Sequence, residues 1–298
     1  MYKKDARTFS RRKFCVKTKA VKRSVSMKTV VSALIFSVLF LFSAIPAEAR
    51  VVTQSIVYKD GETVLEGFFA YDDAAHQPMP GVVVVHEWWG NNDYARKRAE
   101  QLAELGYAAL AIDMYGQNVQ GRNPEEAAKL SKPFRENRRL MQTRAIAGLD
   151  VLRAQPQVDK ARLGAIGYCF GGTVALELAR AGERLKGVVS FHGGLSAIER
   201  AEPARVKAQV LALNGGADPM VSQQERDNFV AEMKAAGVSF KMVDYPGATH
   251  AFTNPKATDI GKRFDIPVAY NEGADRKSWE EMKKFFGRLF DEKPVYIP

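Results

Sequence analysis

Cys169 stands in Gly167-Tyr168-Cys169-Phe170-Gly171-Gly172, a thiol between glycines in the pattern G-x-C-x-G. At a strand-to-helix turn this pattern forms a nucleophile elbow. The strained turn lifts the reactive atom above the sheet, and the glycines admit backbone where a β-carbon would clash. The helix that follows turns its partial positive end toward the sulfur and favours the thiolate, the attacking form. Two later loops carry the partners such a thiol needs. Asp218 lies in Asn214-Gly215-Gly216-Ala217-Asp218-Pro219, and His250 in Pro246-Gly247-Ala248-Thr249-His250-Ala251-Phe252. The imidazole would take the thiol proton, and the carboxylate would hold the imidazole in one tautomer. Each has a plain alternative: a structural cysteine in a Gly-rich turn, an Asp-Pro turn former, a loop histidine.

The surrounding pattern weighs on the side of chemistry. Val51 to Tyr58 and Thr63 to Tyr71 read as a strand pair split at Asp60-Gly61. Gly81 to His86, Ala108 to Met114, Arg162 to Gly167, Leu185 to Phe191, Gln209 to Leu213 and Phe240 to Tyr245 read as further strands. Between them fall amphipathic stretches: Asp93 to Leu105, Pro124 to Leu130 capped by Asn123, Phe134 to Ala154, Phe170 to Ala181, Gln223 to Ala236 and Ser278 to Phe290. Strands alternating with helices predict a single α/β domain with a mostly parallel central sheet flanked by helices. Active sites of such sheets lie at the carboxyl ends of the strands. Cys169, Asp218 and His250 each follow a strand, in the order nucleophile, acid, base of the α/β-hydrolase fold.

His86-Glu87-Trp88-Trp89-Gly90 follows the Val-rich strand, where the second oxyanion donor of that fold arises. The backbone N–H groups of Trp88 and Phe170 are the candidate oxyanion hole. Glu87 is expected to point into the site. Trp89, Tyr115 and Asn254 are candidates to line the substrate cavity, although a tryptophan pair also serves as plain apolar wall.

With these motifs the chain resembles the dienelactone hydrolase family. HEWWG, the DMYG after the second buried strand, GYCFGG, GGADPMV and GATHAF carry the resemblance. It extends over residues 51–291, and its cysteine elbow is the most specific part. The resemblance implies lactone or ester opening through an acyl-thioester, with no metal or cofactor. It implies that Glu87 gates the thiol, keeping it protonated at rest and helping to activate it when substrate binds. The family's substrate-carboxylate arginine, four residues past the histidine, is replaced here by Asn254. Arg135, Arg138, Arg139 and the Lys262-Arg263 pair are the basic groups left to serve.

The N-terminus distorts the bulk composition of the chain. Lys28, the apolar run Val30 to Ile45 and the Pro46-Ala47-Glu48-Ala49 ending have the three parts of a secretory signal. A largely apolar run of sixteen residues is short for a bilayer span of roughly 20. Residues 1–49 are therefore expected to be a leader cleaved after Ala49, with Met27 an alternative start, and residues 50–298 the exported domain. Ser10-Arg11-Arg12 resembles a twin-arginine signal, but a polar stretch separates it from the apolar run. Of 44 basic and 34 acidic residues the leader holds 11 and 2, leaving 33 against 32. That balance removes the case for a nucleic-acid or acidic-membrane partner. A small-molecule substrate is expected, and a monomer by default. Cleavage would also remove Cys15 and leave Cys169 alone, so no internal disulfide is expected. Two other readings stay open: a thiol redox or carrier protein, against which no C-x-x-C is present, and a non-catalytic binding module on the same fold.

Overall fold

A computed structural model describes residues 50–75, 78–197 and 200–291; the expected leader lies outside the described residues. The chain enters on a hairpin. β1 (Val51–Asp60) pairs antiparallel with β2 (Thr63–Asp72) through a tight turn in which Gly61 has φ 57°. The next strands are β3 (Met79–Val85), β4 (Ala108–Ile112), β5 (Val158–Tyr168), β6 (Gly187–Phe191), β7 (Gln209–Gly215) and β8 (Phe240–Tyr245). They form one eight-stranded sheet in the order β1-β2-β4-β3-β5-β6-β7-β8. β2 meets β4 antiparallel, and every pair from β4 to β8 is parallel.

Helices cover both faces: α1 (Asp93–Glu104), α2 (Pro124–Glu136), α3 (Arg138–Ala154), α4 (Phe170–Arg180), α5 (Gln223–Ala235), α6 (Ala257–Phe264) and α7 (Glu272–Asp291). Strand pleating sorts the apolar residues into two cores. Val83 and Val85 of β3 join α3 and α4 on one side, while Val82 and Val84 join α1 and α7 on the other. This is the helix-flanked, mostly parallel α/β fold expected from the sequence. No helix among the described residues is long and apolar enough to cross a membrane.

Three local expectations need correction. The stretch Phe134 to Ala154 is not one helix. α2 runs on through Pro133 to Glu136, the chain breaks at Asn137, and Asn137 caps α3 by accepting from the Leu140 N–H at 3.0 Å. α6 was not foreseen; it has no side-chain cap at its start, so it lacks the usual sequence marker. The amphipathic stretch expected over Asp93 to Leu105 buries Ala95, Ala99 and Leu102, but Leu105, expected on the same apolar stripe, is instead the C-cap of α1 and 40 % exposed.

Candidate active site

β5 delivers Cys169 at the carboxyl end of the sheet, and α4 begins at the next residue. Cys169 has φ 53° and ψ −116°, a conformation that costs a non-glycine residue of order 1–3 kcal/mol. The turn is possible because of its glycines. A β-carbon on Gly167 would lie 1.9 Å from the Gly171 carbonyl oxygen, and one on Gly171 would lie 2.2 Å from that of Val85. The Cys169 carbonyl accepts from the Gly172 N–H at 3.0 Å, closing the first turn, and the thiol is partly exposed.

Asp218 follows β7 and His250 follows β8. Their side chains meet: His250 Nδ1 is 2.8 Å from Asp218 Oδ2, and both residues are buried. The carboxylate is held in turn, since Asp218 Oδ1 accepts from the Met220 N–H at 2.8 Å. The carboxylate therefore accepts a hydrogen bond from Nδ1–H and leaves Nε2 to face the sulfur. Nε2 has no hydrogen-bonding oxygen or nitrogen among the described residues. Burial disfavours a charged His250, but a negative charge on Cys169, once formed, and the Asp218 carboxylate outweigh it and push the imidazole up to about 10, so that a proton leaving the sulfur is held on His250.

Glu87 is buried beside this pair and lines the same cavity as Cys169 and His250. Loss of hydration raises its carboxyl to about 7, against the opposing pull of the Asn254 amide, His250 and Arg98. Asn254 Nδ2 donates to Glu87 Oε2 at 2.7 Å. His86 anchors the turn that carries Glu87: one ring nitrogen bonds the Glu87 carbonyl, and Nε2 accepts from the Met114 N–H at 3.2 Å. The N–H groups of Trp88 and Phe170 have no backbone or side-chain acceptor among the described residues. Both residues line the cavity with Cys169.

The cavity over Cys169 measures about 420 Å³, within the range of small-molecule sites. Trp88, Trp89 and Phe134 form much of its apolar wall, and Asn254 lies on its lining as expected. Tyr115 is the exception among the lining candidates. It sits behind the wall, packed on Phe134 and Phe170, and its hydroxyl donates to the Trp88 carbonyl at 3.1 Å. Tyr115 thus buttresses the candidate oxyanion turn. Among the basic candidates, Arg135 and Arg138 line the cavity, whereas Arg139, Lys262 and Arg263 do not. Arg138 also pairs with the buried Glu177. His192 was not singled out in the sequence. It lies fully buried with its ring centroid 5.3 Å from that of His250. The only sequence signal was a histidine just past the β6 run, in Ser190-Phe191-His192-Gly193-Gly194. Among the described residues no three His, Cys, Asp or Glu side chains group to hold a metal ion.

Known proteins repeat this arrangement of elements. The profile described as the dienelactone hydrolase family matches residues 65–290. The crystal structure of a dienelactone hydrolase-like promiscuous phosphotriesterase from metagenomic libraries superposes with a TM-score of 0.76 at 37 % identity, covering 80 % of this chain and 99 % of the other. Dienelactone hydrolase from Anabaena variabilis gives a TM-score of 0.55 at 25 % identity, over 78 % and 98 % of the two chains. A Methylorubrum extorquens protein named as a candidate carboxymethylenebutenolidase is 28 % identical over 225 residues, 70 % of this chain and 72 % of its own.

Proposed function

Since the chain belongs to the dienelactone hydrolase family, we propose that it opens a small carboxylic ester or lactone with Cys169 as nucleophile, His250 as base and Asp218 as its orienting acid. The observation that carries this reading is the 2.8 Å bond between His250 Nδ1 and Asp218, which leaves the other ring nitrogen for a thiol on a strained elbow.

The chemistry follows from the positions. His250 accepts the thiol proton as sulfur attacks the substrate carbonyl carbon. Negative charge moves to the carbonyl oxygen, where the N–H groups of Trp88 and Phe170 receive it. The tetrahedral adduct collapses to an acyl-thioester, and the departing alkoxide takes the proton from the His250 imidazolium. Water then attacks the thioester with His250 again as base, and the thiol returns with the acid product. In a lactone the alkoxide and the acyl group belong to one molecule, so the product is a single hydroxy acid.

Glu87 is the natural gate of this cycle. Charged, it opposes a second negative charge on the neighbouring sulfur; neutral, it permits one. A carboxyl near 7 crosses between these states close to neutral pH. The cavity favours a compact, largely apolar acyl group, and Arg135 and Arg138 on its wall suit a substrate that also bears an anionic group.

The test is turnover of p-nitrophenyl acetate before and after iodoacetamide, with Cys169→Ala in parallel. Alkylation and the substitution should each remove hydrolysis, leaving several powers of ten less than wild type. Thiol labelling that leaves turnover intact would sink the reading.

A further inference from the structure

His192 costs the fold something. It is a fully buried polar ring, and its backbone has φ 40°, a conformation strained for any residue with a β-carbon. Both ring nitrogens are occupied. Nδ1 accepts from the backbone N–H of Cys169 at 3.1 Å, a donor it shares with the Phe191 carbonyl at 3.0 Å. An accepting Nδ1 puts the ring proton on Nε2, which lies 2.7 Å from Thr253 Oγ1. Thr253 is three residues past His250, on the same loop. Its hydroxyl is 2.6 Å from that of Tyr94, and its carbonyl accepts from Arg98 at 2.8 Å. Arg98 is itself bound to Asp275 at 2.6 Å. The ring of His192 therefore joins the loop that bears the nucleophile to the loop that bears the base, and α1 and α7 hold the far end.

We propose that His192 is a positioning residue for hydrolysis: a neutral imidazole strut that fixes the separation of Cys169 and His250 by accepting from the nucleophile's own N–H and donating to Thr253. This rests on the reading of Cys169 as nucleophile. Rigid spacing matters because proton transfer and attack both require contact geometry, and displacement by about 1 Å can cost on the order of a hundredfold in rate. The strut works only while neutral. A protonated ring has no acceptor for the Cys169 N–H and sets a second cation against the imidazolium of His250. Burial, then the charges of His250 and Arg98, hold His192 well below the ordinary histidine value, so the neutral form persists.

The experiment compares His192→Ala, His192→Asn and Thr253→Val on p-nitrophenyl acetate, with Cys169→Ala alongside. Asparagine keeps an acceptor near the Nδ1 position. His192→Ala should lower kcat by about 10–100-fold with KM within about twofold, and His192→Asn should recover part of the loss. Thr253→Val should lower kcat as well, and the double variant should fall no further than His192→Ala, as expected for two parts of one link. The pH profile of Cys169 alkylation should shift in His192→Ala, because the imidazole no longer stands at the same distance. Wild-type kcat in His192→Ala overturns the proposal. So does a loss that tracks only the folded fraction while the alkylation profile overlays wild type. If His192→Ala does not fold, His192→Asn and Thr253→Val decide by the same readouts. An active Cys169→Ala would instead remove the underlying reading of the nucleophile.

Discussion

At the scale of single residues the site is a problem of placing protons among Glu87, Cys169 and His250. Burial raises Glu87, while Asp218 and any negative charge formed on Cys169 raise His250. The carboxyl of Glu87 moves from 4.5 up to about 7. Over that interval the folded chain binds more protons than the unfolded one, so this group makes stability fall as pH rises through the window. Glu87→Gln should remove that slope, with a relative gain on the order of 1–3 kcal/mol above neutrality, read from urea unfolding at several pH values. An identical slope in both proteins would show that Glu87 does not titrate there. The same substitution should speed iodoacetamide labelling of Cys169 near neutral pH and slow turnover, because the carboxylate that restrains the thiol at rest also serves its activation. Labelling that is unchanged would end the gating role and leave the triad intact. Cys169→Ser is a finer probe of the nucleophile. Its oxygen is much harder to deprotonate, in a site whose charges surround a sulfur, so ester turnover should fall strongly and not be rescued. Serine turnover near the cysteine rate would contradict that account.

At the scale of elements, the reactive groups depend on close backbone approaches. Gly171→Ala would drive a β-carbon to 2.2 Å from the Val85 carbonyl oxygen and 2.6 Å from that of His86, both backbone atoms of the strand end below the elbow. Neither can yield cheaply, so this variant should lose on the order of 3 kcal/mol or more, or fail to fold; a wild-type melting temperature would refute the tight elbow. Asn137→Ala should cost about 1 kcal/mol through loss of the α3 cap, without changing kcat, as measured by urea unfolding and assay. The buried strands and most helices were legible from apolar runs and periodicity, and the three chemical loops from their residue types. The α2–α3 break was not. The apolar pattern runs across Asn137, and only its side chain, turned back on Leu140, ends one helix and starts the next. Tyr115 was misplaced because a sequence gives its loop but not the direction of its ring, which Phe134 and Phe170 set from other elements. His192 went unseen for the same reason: its significance lies in Thr253, 61 residues away.

At the scale of the molecule, one sheet gathers Cys169, Asp218 and His250 at its carboxyl end from β5, β7 and β8, under a cavity of about 420 Å³. Export is a proposal that rests on the sequence of residues 1–49. N-terminal sequencing of protein from the cell-envelope fraction should find Arg50 first, and material beginning at Met1 in the membrane pellet would count against cleavage. The proposed Glu87 gate and the proposed export fit together: with Cys15 cleaved away, a restrained thiol would survive in an oxidising compartment where a free thiolate would be lost to oxidation. The claim on which everything else rests is the acyl-thioester on Cys169. Acid quenching of the protein during turnover of p-nitrophenyl acetate, followed by peptide mass spectrometry, tests it directly. The account predicts an acetyl group on the peptide that contains Cys169, released by neutral hydroxylamine and lacking in Cys169→Ala. An acetyl group on another residue whose loss stops turnover, or steady turnover with Cys169 never acylated, would contradict it.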